Sequence, residues 1–246
     1  MNNNSIDHSL KKVDLHIHTP ASTCYRKKAA SLEEIVESAL NAGLDAISIT
    51  DHSTTVSIDP IREIAEEKNL VVFPGIELTT KAGHVMALFD LDYPVKKMND
   101  FLESVGIERE GQGDGGTLTT DDIGEVLRKI DCSEGIAVAA HIERRPTGFL
   151  GTDELLEVKQ GIHRNIYLSA LELTEPDKKE LWNTGQIQDY PKKHACVQGS
   201  DAHTPNDIGT RPVYIRMKEL GLTALKSTFR NFEGNIFFPD ELSLSK

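Results

Sequence analysis

Short apolar runs that end in a histidine or a carboxylate recur along this chain, and that recurrence restricts the fold more than any other feature. Val13-Asp14-Leu15-His16-Ile17-His18 is the first, and Ala46-Ile47-Ser48-Ile49-Thr50 delivers Asp51 and His52. Leu70-Val71-Val72-Phe73 leads to Glu77, the run from Gly135 to Ala140 carries His141, and Ala195-Cys196-Val197-Gln198 precedes Gly199-Ser200-Asp201-Ala202-His203. Runs this short and this apolar read as buried strands. One more, His84 to Phe89, carries its histidine at the beginning instead. Strand side chains alternate faces, so His16 and His18 point one way while Val13, Leu15 and Ile17 point the other.

Segments with helical periodicity lie between these runs. Ser31 can cap a helix with the apolar stripe Leu32, Ile35, Val36, Ala39 and Leu40, and Gly43 can close it. Pro60 to Asn69, Asp121 to Ile130, Asp153 to Lys159 and Leu222 to Arg230 are expected as further helices. Alternating strand and helix is the signature of parallel β/α architecture. About seven such units in 246 residues predict an α/β fold, a small barrel forming one domain over 13–238 with tails at 1–12 and 239–246. The stretch Glu110 to Thr117, with four glycines, is expected to be a mobile surface loop tolerant of insertion.

In such folds functional side chains gather at the C-terminal ends of the strands. His16, His18, Asp51, His52, Glu77, His141, Asp201 and His203 are therefore the candidate metal ligands. Imidazole and carboxylate without thiolate suit zinc, manganese or iron, and the donors outnumber what one ion can use, so two or three divalent ions are expected. Asp51 is either a ligand or the partner that holds the tautomer of His52. His163 and His194 read as ordinary core or surface residues.

Composition narrows the function. With 27 Lys and Arg against 39 Asp and Glu, the net charge of −12 argues against gripping duplex nucleic acid through a broad basic surface. It leaves phosphoester chemistry open, because metal ions can supply local positive charge. Three widely spaced cysteines, Cys24, Cys132 and Cys196, form neither a disulfide framework nor a thiolate zinc site. No signal peptide or membrane span is legible, and a cytoplasmic location is expected.

His-x-His-Thr at 16–19, Ile-Thr-Asp-His at 49–52, Gly-Ile-Glu at 75–77, Ala-His at 140–141 and Gly-Ser-Asp-Ala-His at 199–203 resemble the ordered motifs of the PHP family, the polymerase and histidinol phosphatase domains. The resemblance implies a distorted (β/α)7 TIM-like barrel and a metal-dependent phosphoric ester hydrolase. It also implies one ion on His16, His18, Glu77 and Asp201, a second on Glu77, His84 and His141, and a third to which His52 and His203 contribute. Family members often carry an Asp or His five or six residues after the second histidine of the first motif, where this chain has Thr23 and Cys24. Cys24 is thus a free thiol or a substitute ligand. Residues 219–238 are similar to the end of PHP domains joined to ABC- or SMC-like ATPases, which makes such an ATPase a candidate partner.

Two ions about 3.5–4 Å apart would make hydroxide available for in-line attack on phosphorus. Glu77 would bridge them, a metal-bound water, His52 or His203 would protonate the leaving oxygen, and Arg144 would clamp the phosphate with its planar fork; Arg145 and Arg211 are weaker candidates for that clamp. The basic run Arg26, Lys27 and Lys28 could steer a polyanion to the site. The expected activity is that of a phosphodiesterase or nuclease on nucleic acid or nucleotides. The alternative is a phosphomonoesterase of the histidinol-phosphatase type, with an amidohydrolase and a non-catalytic metal-holding module as more distant readings.

Overall fold

The apolar runs form the strands. The computed structural model describes residues 10–243 and joins β1 (Leu10–Ile17), β2 (Ala46–Ile49), β3 (Val71–Thr80), β4 (Gly83–Leu88), β5 (Ile136–Ala139), β6 (Leu168–Glu172), β7 (Ala195–Val197), β8 (Val213–Arg216) and β9 (Ile236–Phe237) in one sheet. Their order across it is β7-β6-β5-β4-β3-β2-β1-β8-β9. β1, β2 and β3 run parallel, as do β5, β6 and β7. The segment after β7 returns to β1, where the His18 N–H donates to Ala202 O at 3.0 Å and Ile17 bridges Ala202. The sheet thereby curls into a nearly closed barrel. The tail residues 1–9 and 244–246 lie outside the described residues.

The distortion has a definite place. β4 runs antiparallel to both β3 and β5, rather than parallel as strict alternation predicts. A reversed strand presents its first residues where parallel neighbours present their last. This is why His84 stands at the beginning of its run yet reaches the same end of the barrel as His52, Glu77 and His141. β8 pairs antiparallel with the first half of β1, and β9 extends that edge.

The helices are α1 (Leu32–Asn41), α2 (Ile58–Glu66), α3 (Val95–Ser104), α4 (Ile123–Cys132), α5 (Leu156–Arg164), α6 (Lys179–Thr184), α7 (Leu222–Arg230) and α8 (Pro239–Ser243). Ser31 caps α1 by accepting from the Glu34 N–H at 3.2 Å, and Gly43 ends it at φ +67°. Burying Ile35, Val36 and Ala39 stabilises α1 by about 1.5–3 kcal/mol for each of the two larger side chains. α3 is unheralded by any capping side chain, since Pro94 precedes it, but Met98, Phe101 and Leu102 make one buried stripe. α5 begins three residues later than its polar start predicts, because Leu155 and Leu156 open it without a side-chain cap. No helix among the described residues is long and apolar enough to cross a membrane.

The glycine-rich stretch departs most from expectation. Instead of swinging free, it is strapped across the mouth of the barrel by backbone bonds. The Thr23 N–H donates to Gly113 O at 2.7 Å, and the Gly113 N–H donates to His52 O at 2.8 Å. Thr79 Oγ1 donates to Gly115 O at 2.9 Å. The glycines permit close approach: a Cβ on Gly115 would lie 2.9 Å from His52 Nε2, and one on Gly113 2.5 Å from Ala21 O.

Candidate metal centre

At the barrel end where β1, β2, β3 and β5 finish, β4 begins and the segment after β7 returns, six ionisable side chains surround Glu77. Its two oxygens divide them. Oε1 lies 2.9 Å from His84 Nδ1 and 3.0 Å from His141 Nε2. Oε2 lies 3.4 Å from His16 Nε2, 3.3 Å from His18 Nε2 and 3.2 Å from His52 Nδ1. Asp201 Oδ1 completes the second set, 3.3 Å from His16 Nε2 and 3.1 Å from His18 Nε2. Among the described residues, three groups have donor atoms all within 4.8 Å of one another: His16, His18, Glu77 and Asp201; His52, Glu77 and His84; and His18, His52 and His203.

The surrounding protein holds the far side of four of the rings, which turns the other nitrogen toward the centre. His16 Nδ1 donates to Glu172, 3.0 Å away. His18 Nδ1 donates to Ser22 Oγ at 3.1 Å, and that hydroxyl in turn donates to Asp51 Oδ1 at 2.6 Å. His84 Nε2 reaches Thr79 Oγ1 at 3.2 Å, whose hydrogen goes to Gly115 O. His203 Nδ1 donates to Asp201 O at 2.8 Å. An imidazole whose outer nitrogen carries the proton offers its inner lone pair to a cation.

Burial and charge set the electrostatics. Burial disfavours the charged form of His16, but Glu172, Glu77 and Asp201 outweigh it and raise its pKa well above the ordinary value. Burial likewise opposes the charge on His18, yet hydrogen bonds to Asp201 and Glu77 carry it up to about 9. His52 goes the other way, pushed down to about 4 by burial despite Glu77. Glu77 stays well below the carboxylate range, since the His16, His84 and His52 charges overcome its burial.

These residues fit a divalent cation. His52 Nδ1 is buried and, although 3.2 Å from Glu77 Oε2, makes no well-aligned hydrogen bond among the described residues, an arrangement that costs about 1–3 kcal/mol in a protein interior unless something accepts the lone pair. His16 Nε2 and His18 Nε2 face each other at 3.2 Å, although both outer nitrogens already hold protons. His141 and Asp201 both sit in the left-handed backbone region, at φ +29° and +49°, a strain that clusters at functional sites.

Asp51 stands apart from all three groups. Its carboxylate accepts from the Thr19 N–H at 2.8 Å, Thr19 Oγ1 at 2.6 Å and Ser22 Oγ, so it supports His18 through Ser22 rather than touching the ring of His52. Cys24 is exposed with Sγ 3.1 Å from His203 Nε2, and it too lies outside the three groups. Arg144 pairs with Asp201 Oδ2 and keeps its side chain partly open to solvent. Arg211 is engaged elsewhere, donating to Leu173 O at 2.7 Å. The basic run is also engaged: Arg26 with Asp207, Lys27 with Glu34 and Lys28 with Ser22 O.

Three contributors lay outside the motifs. Glu172 ends β6 and accepts from both His16 and the His141 N–H, the latter at 2.7 Å. Ser22 links His18, Asp51 and the His52 N–H. Asp14, fully buried, accepts from the N–H groups of Ser200 at 3.0 Å and Gly209 at 2.9 Å, tying the Asp201 segment to β1.

A sequence profile of the PHP domain matches residues 14–150, more than half of the chain. The chain belongs to the PHP domain family. Its relatives include a 5'-3' exoribonuclease of Haemophilus influenzae, 32% identical over 105 residues, which cover 41% of this chain and 36% of the relative. The PHP chain thus aligns with little more than a third of that protein's length. Among solved structures it resembles the lesion-specific endonuclease PfuEndoQ of Pyrococcus furiosus, with a TM-score of 0.71 at 16% identity over 94% of this chain and 58% of that one. It also resembles a two-domain protein of Bacteroides vulgatus described as containing a predicted PHP-like metal-dependent phosphoesterase, with a TM-score of 0.63 at 18% identity over 92% of this chain and 64% of that one. The fold is that of a PHP domain, and its clustered imidazoles and carboxylates can hold a divalent metal.

Proposed function

We propose that this PHP domain is a metal-dependent phosphodiesterase acting on nucleic acid. The observation that carries the reading is Glu77, whose two oxygens each face a separate set of imidazoles. A carboxylate so placed is suited to bridge two cations, with His16, His18 and Asp201 on one side and His84 and His141 on the other. His52 and His203 flank the first set and would assist a third ion or hand a proton to the leaving oxygen. Divalent cations held there would supply Lewis acidity and lower the pKa of an attacking water.

The chain's own residues do the rest. Glu172, Ser22 and Thr79 hold the tautomers of His16, His18 and His84, so the site is preorganised before substrate arrives. Arg144 sits at the rim on Asp201 and can turn its remaining N–H groups to a phosphate oxygen. The strap of residues 111–116 walls the mouth beside His52 and restricts what reaches it.

The substrate class draws on the relatives, which include a protein named as an exoribonuclease and one named as an endonuclease. A second reading, a phosphomonoesterase on a small metabolite, draws on the net charge of −12. Hydrolysis of a generic phosphodiester, a generic phosphomonoester and a short single-stranded RNA, each with added Mn²⁺, separates the two. Turnover of the diester and the RNA is expected, and turnover of the monoester alone would overturn the diesterase reading. An ABC- or SMC-like ATPase is the partner we assign from residues 219–238, and a pull-down that recovers none would remove it.

A further inference from the structure

β6 carries chemistry at both ends. Glu172 finishes it beside His16, whereas its start, about 13 Å away by strand rise, opens with the start of β7 on a cavity of about 280 Å³. Lys192, Lys193, Lys226 and Arg230 line that cavity against one carboxylate, Asp131. Four cations around one cavity are unexpected in a chain of net charge −12. Two of them are held by carbonyls: Lys192 Nζ donates to Asn165 O at 2.7 Å and Lys226 Nζ to Glu134 O at 2.8 Å. A carbonyl accepts a hydrogen bond without cancelling the charge, so both ammonium groups can still attract an anion.

Lys193 meets Glu233 at 3.3 Å in an exposed pair, which a phosphate can displace at little cost. Arg230, in the last turn of α7, is exposed and its guanidinium has no hydrogen-bond or ion-pair partner among the described residues. Two half-buried rings, Tyr167 and Phe232, line the same cavity. A ligand recognised by phosphate alone has no use for aromatic faces, whereas cations interleaved with aromatic rings are what single-stranded nucleic acids require. The volume, just under the roughly 300–1,000 Å³ of small-molecule sites, suits one unit of a single strand and not a duplex.

We propose that this cavity, at the opposite end of the barrel from the metal centre, binds a segment of single-stranded nucleic acid, with phosphates against Lys192, Lys226 and Arg230 and a base against Tyr167 and Phe232. It extends the nucleic-acid reading of the metal centre and rests on it for the substrate class. A strand long enough to occupy both ends is held more tightly than one that fills the metal mouth alone.

The test is the anisotropy of a fluorescent single-stranded oligonucleotide on the full chain with chelator present, so that binding is read without turnover. Wild-type affinity is expected to fall with salt, with a slope of about 0.7 for each phosphate neutralised, and R230E to lower that slope. R230E and Y167A are each expected to weaken binding about 10-fold. Circular dichroism verifies that Y167A is folded; R230E, at an exposed helix end, serves if it is not. Metal-loaded R230E should hydrolyse a small generic diester at the wild-type rate. Unchanged affinity in folded variants, no binding by the wild type, or equal competition from inorganic pyrophosphate would overturn the proposal. Absent diester hydrolysis by the wild type, with strand binding still lost in the variants, would overturn the phosphoesterase reading and leave this site standing.

Discussion

The Glu172 carboxylate lies 3.0 Å from His16 Nδ1, on the side of the ring away from Glu77 and Asp201. It keeps the proton on Nδ1 and turns the Nε2 lone pair inward, and its second contact, to the His141 N–H, fixes a residue of the opposite set. Replacing such an outer partner costs about 10–100-fold in metal affinity. Glu172→Gln is therefore expected to bind the first equivalent of Mn²⁺ or Zn²⁺ that much more weakly by calorimetry, with little change in the folded barrel.

That pairing also marks how far the sequence could be read. The five motifs were legible because each sets at least one imidazole or carboxylate at the end of an apolar run. Glu172 was present in plain sight in Ala170-Leu171-Glu172-Leu173, and a carboxylate inside an apolar strand is costly without a partner. Nothing in the linear pattern said that the partner would be His16. The place of His84 at the start of its run was the trace of the β4 reversal, since only an antiparallel strand brings its first residue to that end. The glycine-rich stretch misled because composition does not distinguish glycines used for freedom from glycines used for close approach. Here Gly113 and Gly115 lie against Ala21 and His52.

Ser22 is a hub of three hydrogen bonds, to His18, Asp51 and the His52 N–H. Ser22→Ala leaves buried polar groups unpaired and is expected to cost about 2 kcal/mol of stability and to weaken metal binding. Thermal melting with and without Mn²⁺ checks both. A melting point equal to wild type in both conditions would show that Ser22 holds nothing in place.

Gly115 leaves no spare room beside His52 Nε2. Its backbone conformation is one that alanine can adopt, so Gly115→Ala isolates the steric effect. Displacing a site residue by about 1 Å can cost on the order of 100-fold in rate, and a loss in kcat/KM of that order is expected with the melting point nearly unchanged. Full activity would mean that the strap yields.

His163 and His194 pack against each other, with burial pushing their pKa values down to about 4 and about 3. Both bind protons more readily when unfolded, near 6.5, so their contribution is complete above that pH and is lost as pH falls toward 4. For His163 the loss is on the order of 3 kcal/mol. In chelator-treated protein, denaturant unfolding between pH 6.5 and 4.5 should show stability falling with acid, and His163→Gln should flatten that slope while lowering stability at neutral pH. Parallel slopes would remove His163 from the explanation.

The most direct test of the two-sided centre on Glu77 is the metal content of purified wild-type protein and Glu77→Gln after equilibration with Mn²⁺ or Zn²⁺ and gel filtration, read by mass spectrometry of the metals. At least two ions per chain are expected in the wild type, and fewer than one in a folded Glu77→Gln. A wild type that retains no metal, or a variant that retains as much as the wild type, would contradict the bridging role of Glu77.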